Sequence, residues 1–161
     1  MMQRRKPISK ENATVRLESL CARAEHCTYE LMTKLRGWGI TGDVAEDIIN
    51  GLIDNRFVDD LRFARSFVRD RYRFSGYGRR KIAMALAAKR IPRDTVEEAM
   101  EEIDPEIYFG NLRHLVDRKA AALDLSSYDD RNKLYRYAIG RGYESDLTVR
   151  AIKMYMTENR E

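Results

Sequence analysis

The chain has 161 residues, of which 43% are hydrophobic and 35% are charged, with only three prolines and nine glycines. This composition excludes a chain that is disordered throughout and favours an almost wholly helical protein. The net charge is +4, and no stretch approaches the roughly 20 apolar residues that a bilayer-spanning helix needs, so we expect a cytoplasmic protein with no membrane partner.

The chain begins with MMQRRKPISK, which carries charge but no apolar segment. We therefore predict a basic, flexible tail over residues 1–10. A first three-helix repeat follows over residues 11–56, because an amphipathic segment around Leu17 and Leu20 precedes two further sets of apolar residues at helical spacing.

A set of core positions in this first repeat, together with one aspartate, recurs twice along the chain. The set Leu31, Leu35, Ile40, Asp43, Ile48, Ile49, Leu52 returns 51 residues later as Ile82, Leu86, Ile91, Asp94, Ala99, Met100, Ile103, and a further 52 residues on as Leu134, Ala138, Tyr143, Asp146, Ala151, Ile152, Tyr155. Each copy follows an amphipathic segment of its own. The sequence thus predicts an all-α protein, an elongated tandem array of three three-helix repeats that forms a short α-solenoid, with repeats two and three over residues 57–103 and 104–161.

Residues that favour helix starts mark the repeat boundaries. Asp59-Asp60 opens the second repeat, and Asp104-Pro105 opens the third with an N-cap acid followed by proline in the first turn. Asp43, Asp94 and Asp146 are placed to open the last helix of each repeat.

Glycine marks the turn before two of these last helices. Gly39 and Gly142 stand where a chain turning out of a helix adopts the left-handed conformation. Arg90 holds the equivalent position in the second repeat, so we expect some loss of stability there.

Arginine and aromatic side chains alternate along the first helix of the second repeat. At about 100° per residue, four arginines, which we call the arginine row, fall on one stripe, and the apolar residues fall on the opposite stripe. The row consists of Arg62, Arg65, Arg69 and Arg73, and the opposite stripe of Phe63, Ala64, Phe67 and Val68. The row extends about 16 Å along the helix, long enough to follow a line of carboxylates or phosphates.

Charge is distributed unevenly between neighbouring segments. Residues 56–93 hold twelve basic and three acidic residues, a net charge of +9, whereas residues 94–106 hold seven acidic residues and no basic one. The arginine row can therefore either bind an acidic partner or pair within the chain with the acidic segment 94–106.

Two further groups of cations complete the predicted partner-binding surface. Arg79, Arg80 and Lys81 stand in the first turn of a helix, where positive charge opposes the helix dipole unless an anion lies nearby. Lys133, Arg136 and Arg141 form a second, weaker basic patch in the third repeat.

The sequence holds no recognisable catalytic or metal-binding motif. It has no glycine-rich phosphate loop, no histidine near a plausible nucleophile and no glycine-serine elbow, so we expect no catalytic residue and no enzyme activity. Cys21, Cys27, His26 and His114 could at most form one zinc site, but their spacing does not prepare it. We predict no metal and no cofactor.

Three segments match a known set of motifs in order. They are DDLRFARSFVRDRYRFSGYGRRKIAMALAAKRI at residues 59–91, CTYELMTKLRGWGI at 27–40 and RNKLYRYAIGRGYESDLTVRAI at 131–152. The first resembles a segment with D-D-x-x-F-A, a glycine before a basic helix, and a leucine before a K-G-I-like ending. Together the segments resemble the RecX family of recombinase regulators, over nearly everything after the first ten residues.

The resemblance implies a non-enzymatic regulator of RecA that acts in homologous recombination, DNA repair and the SOS response. The family is built of tandem three-helix repeats, binds in the helical groove of the RecA filament on DNA and mostly inhibits ATP hydrolysis and strand exchange. Some members also bind DNA directly, so single- or double-stranded DNA is a second expected partner. We expect a monomer.

Two other functions fit the same residues. The arginines could belong to a stand-alone nucleic-acid-binding module that contacts phosphates without a protein partner. Alternatively, RGYESDLTVRAI resembles the turn and recognition helix of a helix-turn-helix repressor.

Overall fold

The computed structural model describes residues 8–160, and within them the chain forms nine α-helices and no strand. The helices are α1 Lys10–Arg23, α2 Thr28–Gly37, α3 Gly42–Asp54, α4 Asp60–Arg73, α5 Arg79–Ala88, α6 Arg93–Ala99, α7 Pro105–Ala120, α8 Tyr128–Gly140 and α9 Ser145–Glu158. A single 3-10 turn, Met100–Glu102, continues α6. The predicted all-α array of three-helix repeats is confirmed, and none of the described helices is long and apolar enough to cross a membrane.

Most of the predicted flexible tail, residues 1–10, lies outside the described part of the chain. Residues 1–7 lie outside the described part of the chain, but Lys10 already belongs to α1. The Ser9 side chain accepts a hydrogen bond from the Asn12 N–H at 3.1 Å. Ordered structure therefore begins by Ser9, because serine is a strong N-cap, and the tail over the preceding residues stays a prediction.

The repeated apolar positions form the core, as predicted. In every repeat the recurring apolar residues of the second and third helices and of the turns that adjoin them are buried, apart from Met100 and Tyr155, which are partly buried. Within each repeat the first and third helices also pack together. The 51- and 52-residue shifts therefore identify the same side of the same helix each time.

The predicted helix starts are confirmed. The Asp59 side chain accepts a hydrogen bond from the Arg62 N–H at 3.0 Å, and Asp104 accepts one from the Glu106 N–H at 2.9 Å. Pro105 opens α7, where its missing N–H is not needed. The first turns of α3, α6 and α9 each carry the expected aspartate.

The turn before the third helix is left-handed in all three repeats. Its φ is 81° at Gly39, 58° at Arg90 and 97° at Gly142. Only glycine adopts this conformation without a steric cost from its own Cβ. Arg90 therefore carries the backbone strain that its position in the repeat predicts.

The repeats do not form three equal cores. Repeat 1 has its own apolar cluster, drawn from α1–α3 and joined by Val58 from the segment after α3, whereas repeats 2 and 3 share one continuous cluster. The buried Cys27, at the start of α2, belongs to the shared cluster and so links repeat 1 to it.

Repeats 2 and 3 meet where the start of α5 contacts the turn between α8 and α9. The Gly78 N–H donates to the Arg141 carbonyl at 2.8 Å, and the Arg80 N–H donates to the Gly142 carbonyl at 3.0 Å. A Cβ on Gly78 would lie 2.2 Å from the Gly142 carbonyl carbon. Only a residue without a side chain allows the two backbones to approach this closely.

Replacing Gly78 by alanine should therefore destabilise the fold by about 3 kcal/mol, since the added methyl group meets backbone and not a flexible side chain. Gly110, inside α7, is the matched control, because a Cβ there meets nothing within 4 Å. Gly110→Ala should be neutral or stabilise by about 0.5–1 kcal/mol. Urea unfolding measures both; equal stability of Gly78→Ala and the wild type would contradict the described junction.

The left-handed turn at Arg90 gives a second test. Arg90→Gly should be more stable than Arg90→Ala by about 1 kcal/mol, because only alanine retains the left-handed strain. At Ala87, an exposed position in α5, glycine should instead be less stable than alanine by about 1 kcal/mol. Thermal unfolding of these variants would contradict the turn geometry if glycine were the worse residue at both positions.

Candidate partner-binding surface

Three members of the arginine row are paired with carboxylates of the same chain. Arg62 Nε lies 2.7 Å from Glu25 Oε1, Arg65 Nη2 lies 3.1 Å from Glu98 Oε1, and Arg69 Nη1 lies 3.3 Å from Glu102 Oε2. Their side chains remain 38–46% exposed. Two of these partners come from the acidic segment 94–106, so the intramolecular alternative accounts for much of the row, and partner binding by it stays a prediction.

The apolar stripe opposite the row packs as predicted, with one difference. Phe63, Ala64 and Val68 are buried, whereas Phe67 is only partly buried. The Arg71 guanidinium carbon lies 4.5 Å from the Phe67 ring centroid. Arg71 thus covers the exposed part of that ring.

The cations at the start of α5 have an anion within the chain. Arg79 Nη1 lies 2.9 Å from Glu144 Oε2, and its guanidinium carbon is 4.1 Å from the centroid of the Tyr108 ring. The Tyr108 hydroxyl donates to Glu144 Oε1 at 2.6 Å and accepts from the Arg79 N–H at 2.9 Å. Burial, followed by the bond to Glu144, raises the pKa of Tyr108 well above its usual value, so the hydroxyl stays protonated. Arg79 is therefore part of the repeat junction.

Lys81 and Arg141 also contribute to this junction. The Lys81 ammonium lies 4.2 Å from the Tyr77 ring centroid, and the Arg141 guanidinium carbon lies 5.2 Å from the same ring. Arg141 Nη2 donates to the Ser75 carbonyl at 2.8 Å. Both cations are partly buried, and each fixes the loop before α5.

The remaining predicted site residues are exposed. Arg80 and Arg136 form no ion pair within residues 8–160, and Lys133, 69% exposed, lies 3.8 Å from Asp130. Arg73 donates from Nε to the Tyr72 hydroxyl at 3.0 Å and has no carboxylate partner in the same range. These four residues retain positive charge available to a partner.

A cationic cleft of about 500 Å³ lies beside the junction, between the end of α4, the loop that follows it, α7 and α8. Arg73 and Arg141 line it, and the structure adds Arg118 and Lys119, which we had not predicted as site residues. The four cations come from α4, α7 and the residue that follows α8. Arg118 and Lys119 lie in the last turn of α7, where a cation also has the ordinary role of stabilising the helix dipole. Sequence spacing alone could not reveal this grouping. Sequence spacing does not identify Glu144 as a site residue either. The only sequence signal for it is its position directly after the turn at Gly142.

Neither cysteine belongs to a metal cluster in the described part of the chain. Cys27 is buried, which is the main reason that its thiol pKa is raised to about 11, and Cys21 is partly buried. No group of three or more His, Cys, Asp or Glu side chains within residues 8–160 is arranged to hold a metal ion.

Comparison with known proteins identifies relatives for most of the chain. A family model described as RecX, second three-helix domain, matches residues 59–100, and one described as RecX, third three-helix domain, matches 106–152. The regulatory protein RecX of Vibrio campbellii is 32% identical over 139 residues, which cover 86% of each chain. That of Prosthecochloris aestuarii is 32% identical over 126 residues, covering 78% of this chain and 81% of the relative.

Solved structures agree in fold. The crystal structure of RecX from Lactobacillus salivarius superposes with a TM-score of 0.83 at 23% identity, and covers 92% of this chain and 97% of that one. A second crystal structure, of a regulatory protein RecX, gives a TM-score of 0.80 at 18% identity, over 89% and 73% of the two chains. At identities of 23% and 18%, the structural likeness establishes only that the chain shares the fold, an array of three-helix repeats.

A charge swap tests whether the arginine row stabilises the chain through its acidic partners. Replacing Arg65 and Arg69 together by Glu should lower the free energy of unfolding by about 1–2 kcal/mol, because it removes the pairs with Glu98 and Glu102 and adds like-charge repulsion. Adding Glu98→Arg and Glu102→Arg should restore most of that loss. Urea unfolding at low salt measures these changes in stability. If the variant with only Arg65→Glu and Arg69→Glu were as stable as the wild type, the row would be only a solvated face.

Proposed function

The chain belongs to the RecX family of regulatory proteins, and from that premise we propose that it binds the RecA filament on DNA and limits ATP hydrolysis and strand exchange. In this proposal it regulates homologous recombination and DNA repair, and does so by binding alone, without catalysis.

The tandem order of the repeats is the observation that carries the proposal. The two matched three-helix units follow one another within five residues of sequence, and the structure joins them through a tight backbone contact. A helical filament presents the same surface at every subunit. An array of joined repeats can therefore contact more than one subunit, and linked contacts bind more tightly than separate ones.

The cations that remain exposed are the proposed contacts with an acidic surface of the filament. Arg80 lies in the first turn of α5, and Lys133 and Arg136 lie within α8. Of the three, only Lys133 has a carboxylate nearby, that of Asp130 at 3.8 Å. Arg62, Arg65, Arg69 and Arg79 are instead neutralised within the chain. Complementary charge of this kind raises the rate of encounter and selects the partner more than it adds affinity.

The repressor alternative is not favoured by the position of α9. A recognition helix needs an accessible N-terminus to contact bases in the major groove. The turn before α9 lies against the start of α5, where Tyr143 is fully buried and Glu144 is bound to Arg79 and Tyr108. The first turn of α9 is thus partly covered by the second repeat.

We expect the protein to lower the ATPase rate of RecA on single-stranded DNA, at less than one copy per RecA subunit. Blocking filament growth at a few positions affects many subunits, which is the physical reason for this low ratio. A steady-state ATPase assay with and without the protein measures the effect, and an unchanged rate at equimolar protein would contradict the proposal.

Two controls distinguish filament binding from simple removal of DNA. Excess single-stranded DNA should not relieve the inhibition; relief would support the stand-alone nucleic-acid-binding module instead. Arg80→Glu combined with Arg136→Glu should raise the concentration needed for inhibition several-fold. Arg93→Glu, on a side chain that is 93% exposed on α6, reverses one charge away from these positions and should leave inhibition unaltered.

A further inference from the structure

A shallow apolar groove lies between α8 and α9 in the third repeat. Its volume is about 420 Å³, and its apolar lining consists of Tyr128, Tyr135, Val149, Ile152 and Met156. Tyr128 is 70% exposed and Val149 is 39% exposed. Apolar side chains that are grouped in one concave place, and not scattered singly over the surface, indicate a binding surface.

The walls of the groove are fixed by hydrogen bonds. The hydroxyl groups of Tyr135 and Ser145 lie 2.7 Å apart and link α8 to the start of α9. Arg131 Nη1 donates to the Leu125 carbonyl at 2.9 Å and to the Ser126 carbonyl at 3.2 Å, which holds the loop before α8. A partner that bound here would therefore meet walls that are already ordered, and this lowers the entropic cost of binding.

The charge around the groove is positive and is not neutralised within the chain. Arg131 on α8 and Lys153 on α9 line the groove, and no aspartate or glutamate does. Neither cation forms an ion pair within residues 8–160, whereas Arg113 and Lys133 in the same repeat do. The groove thus combines an apolar floor with an unpaired positive charge on each of its two helices.

This combination disfavours a second copy of the chain as the occupant. A two-fold symmetric contact places the same patch on both copies, so Arg131 and Lys153 would face cations of their own kind. The acidic segment 94–106 of another copy is a poor alternative, because its Glu98 and Glu102 are already paired with the arginine row. The complementary partner must bring both apolar side chains and its own unpaired carboxylates.

We propose that the groove between α8 and α9 docks an acidic amphipathic segment of another protein. The apolar side chains of that segment fill the floor, and its carboxylates pair with Arg131 and Lys153. The floor extends about 10 Å along α9, from Val149 to Met156, which matches apolar residues at i, i+3 and i+7 of a docked helix. The site uses none of the cations proposed to contact the RecA filament, and so goes beyond the proposed function.

The test uses a fluorescein-labelled peptide of about four helical turns, with leucine at i, i+3 and i+7 and glutamate on the flanks, held helical by a side-chain cross-link. Fluorescence anisotropy measures its binding to the full chain without RecA. Tyr128→Gln and Val149→Gln should each weaken binding about fivefold or more, as expected for the loss of an apolar anchor contact.

Reversing a charge beside the groove tests the electrostatic part of the proposal. Lys153→Glu should weaken binding of the acidic peptide at low salt, and the difference from the wild type should shrink as salt rises, because an exposed pair is screened. A second peptide, with lysine in place of every glutamate, should reverse the order and bind Lys153→Glu more tightly than the wild type.

Matched variants control for general surface effects. Met84→Gln removes an apolar side chain that is 74% exposed on α5, and Arg93→Glu reverses a charge that is 93% exposed on α6. Neither residue lines the groove, so neither variant should change affinity more than about twofold. A peptide with asparagine in place of leucine keeps the negative charge and should bind at least about tenfold more weakly, since it lacks the apolar anchors.

Three results would overturn the inference. The first is an acidic leucine peptide that does not bind saturably, or that binds Tyr128→Gln and Val149→Gln as tightly as the wild type. The second is equal binding of the leucine and asparagine peptides, which would indicate charge attraction alone. The third is a wild-type dimer in analytical ultracentrifugation that Tyr128→Gln converts to a monomer, which would mean that a second copy covers the groove. All three measurements omit RecA, so failure of this inference is distinguishable from failure of the ATPase prediction.

Discussion

The close approach of two glycine backbones, at Gly78 and Gly142, is the constraint on which the surface of repeats 2 and 3 depends. It lets the first turn of α5 donate backbone hydrogen bonds to the α8–α9 turn, so N–H groups at a helix start are satisfied by another repeat. The same contact brings Arg79 to Glu144 and Arg141 to the loop before α5. One steric requirement thus sets the relative position of two repeats and the environment of their cations.

Most of the conspicuous arginines stabilise the chain itself. Three cations in the first turn of α5 would oppose its dipole, but Glu144 lies against Arg79, and the arginine row faces the acidic end of repeat 2. These pairs are partly exposed, so each contributes only tenths of a kcal/mol up to about 1 kcal/mol. They also neutralise charge that would otherwise be open to a partner, whereas Arg80 and Arg136, and the cations that line the cationic cleft, have no carboxylate partner within residues 8–160.

The sequence was sufficient for features that depend on local chemistry. The repeat period identified the buried side of each helix, Asp59 and Asp104 identified two helix starts, and the strain at Arg90 followed from its place opposite glycine in the other repeats. Contacts between distant positions could not be obtained in this way. Arg79 and Glu144 are 65 residues apart, and the cleft joins side chains from α4, α7 and the end of α8. Helical periodicity gives the direction of a side chain around its own axis, but not the angle between two repeats.

If the glycine contact unites repeats 2 and 3, they should unfold as one cooperative unit, while repeat 1, with its own core, opens separately. Native-state hydrogen exchange across a range of sub-denaturing urea concentrations measures this directly. We predict that the slowest amides of α4, α5, α7 and α9 converge on a single free energy of opening, distinct from that of α1 and α3. Amides of repeat 3 that exchange through their own opening, at a lower free energy than those of repeat 2, would contradict the account.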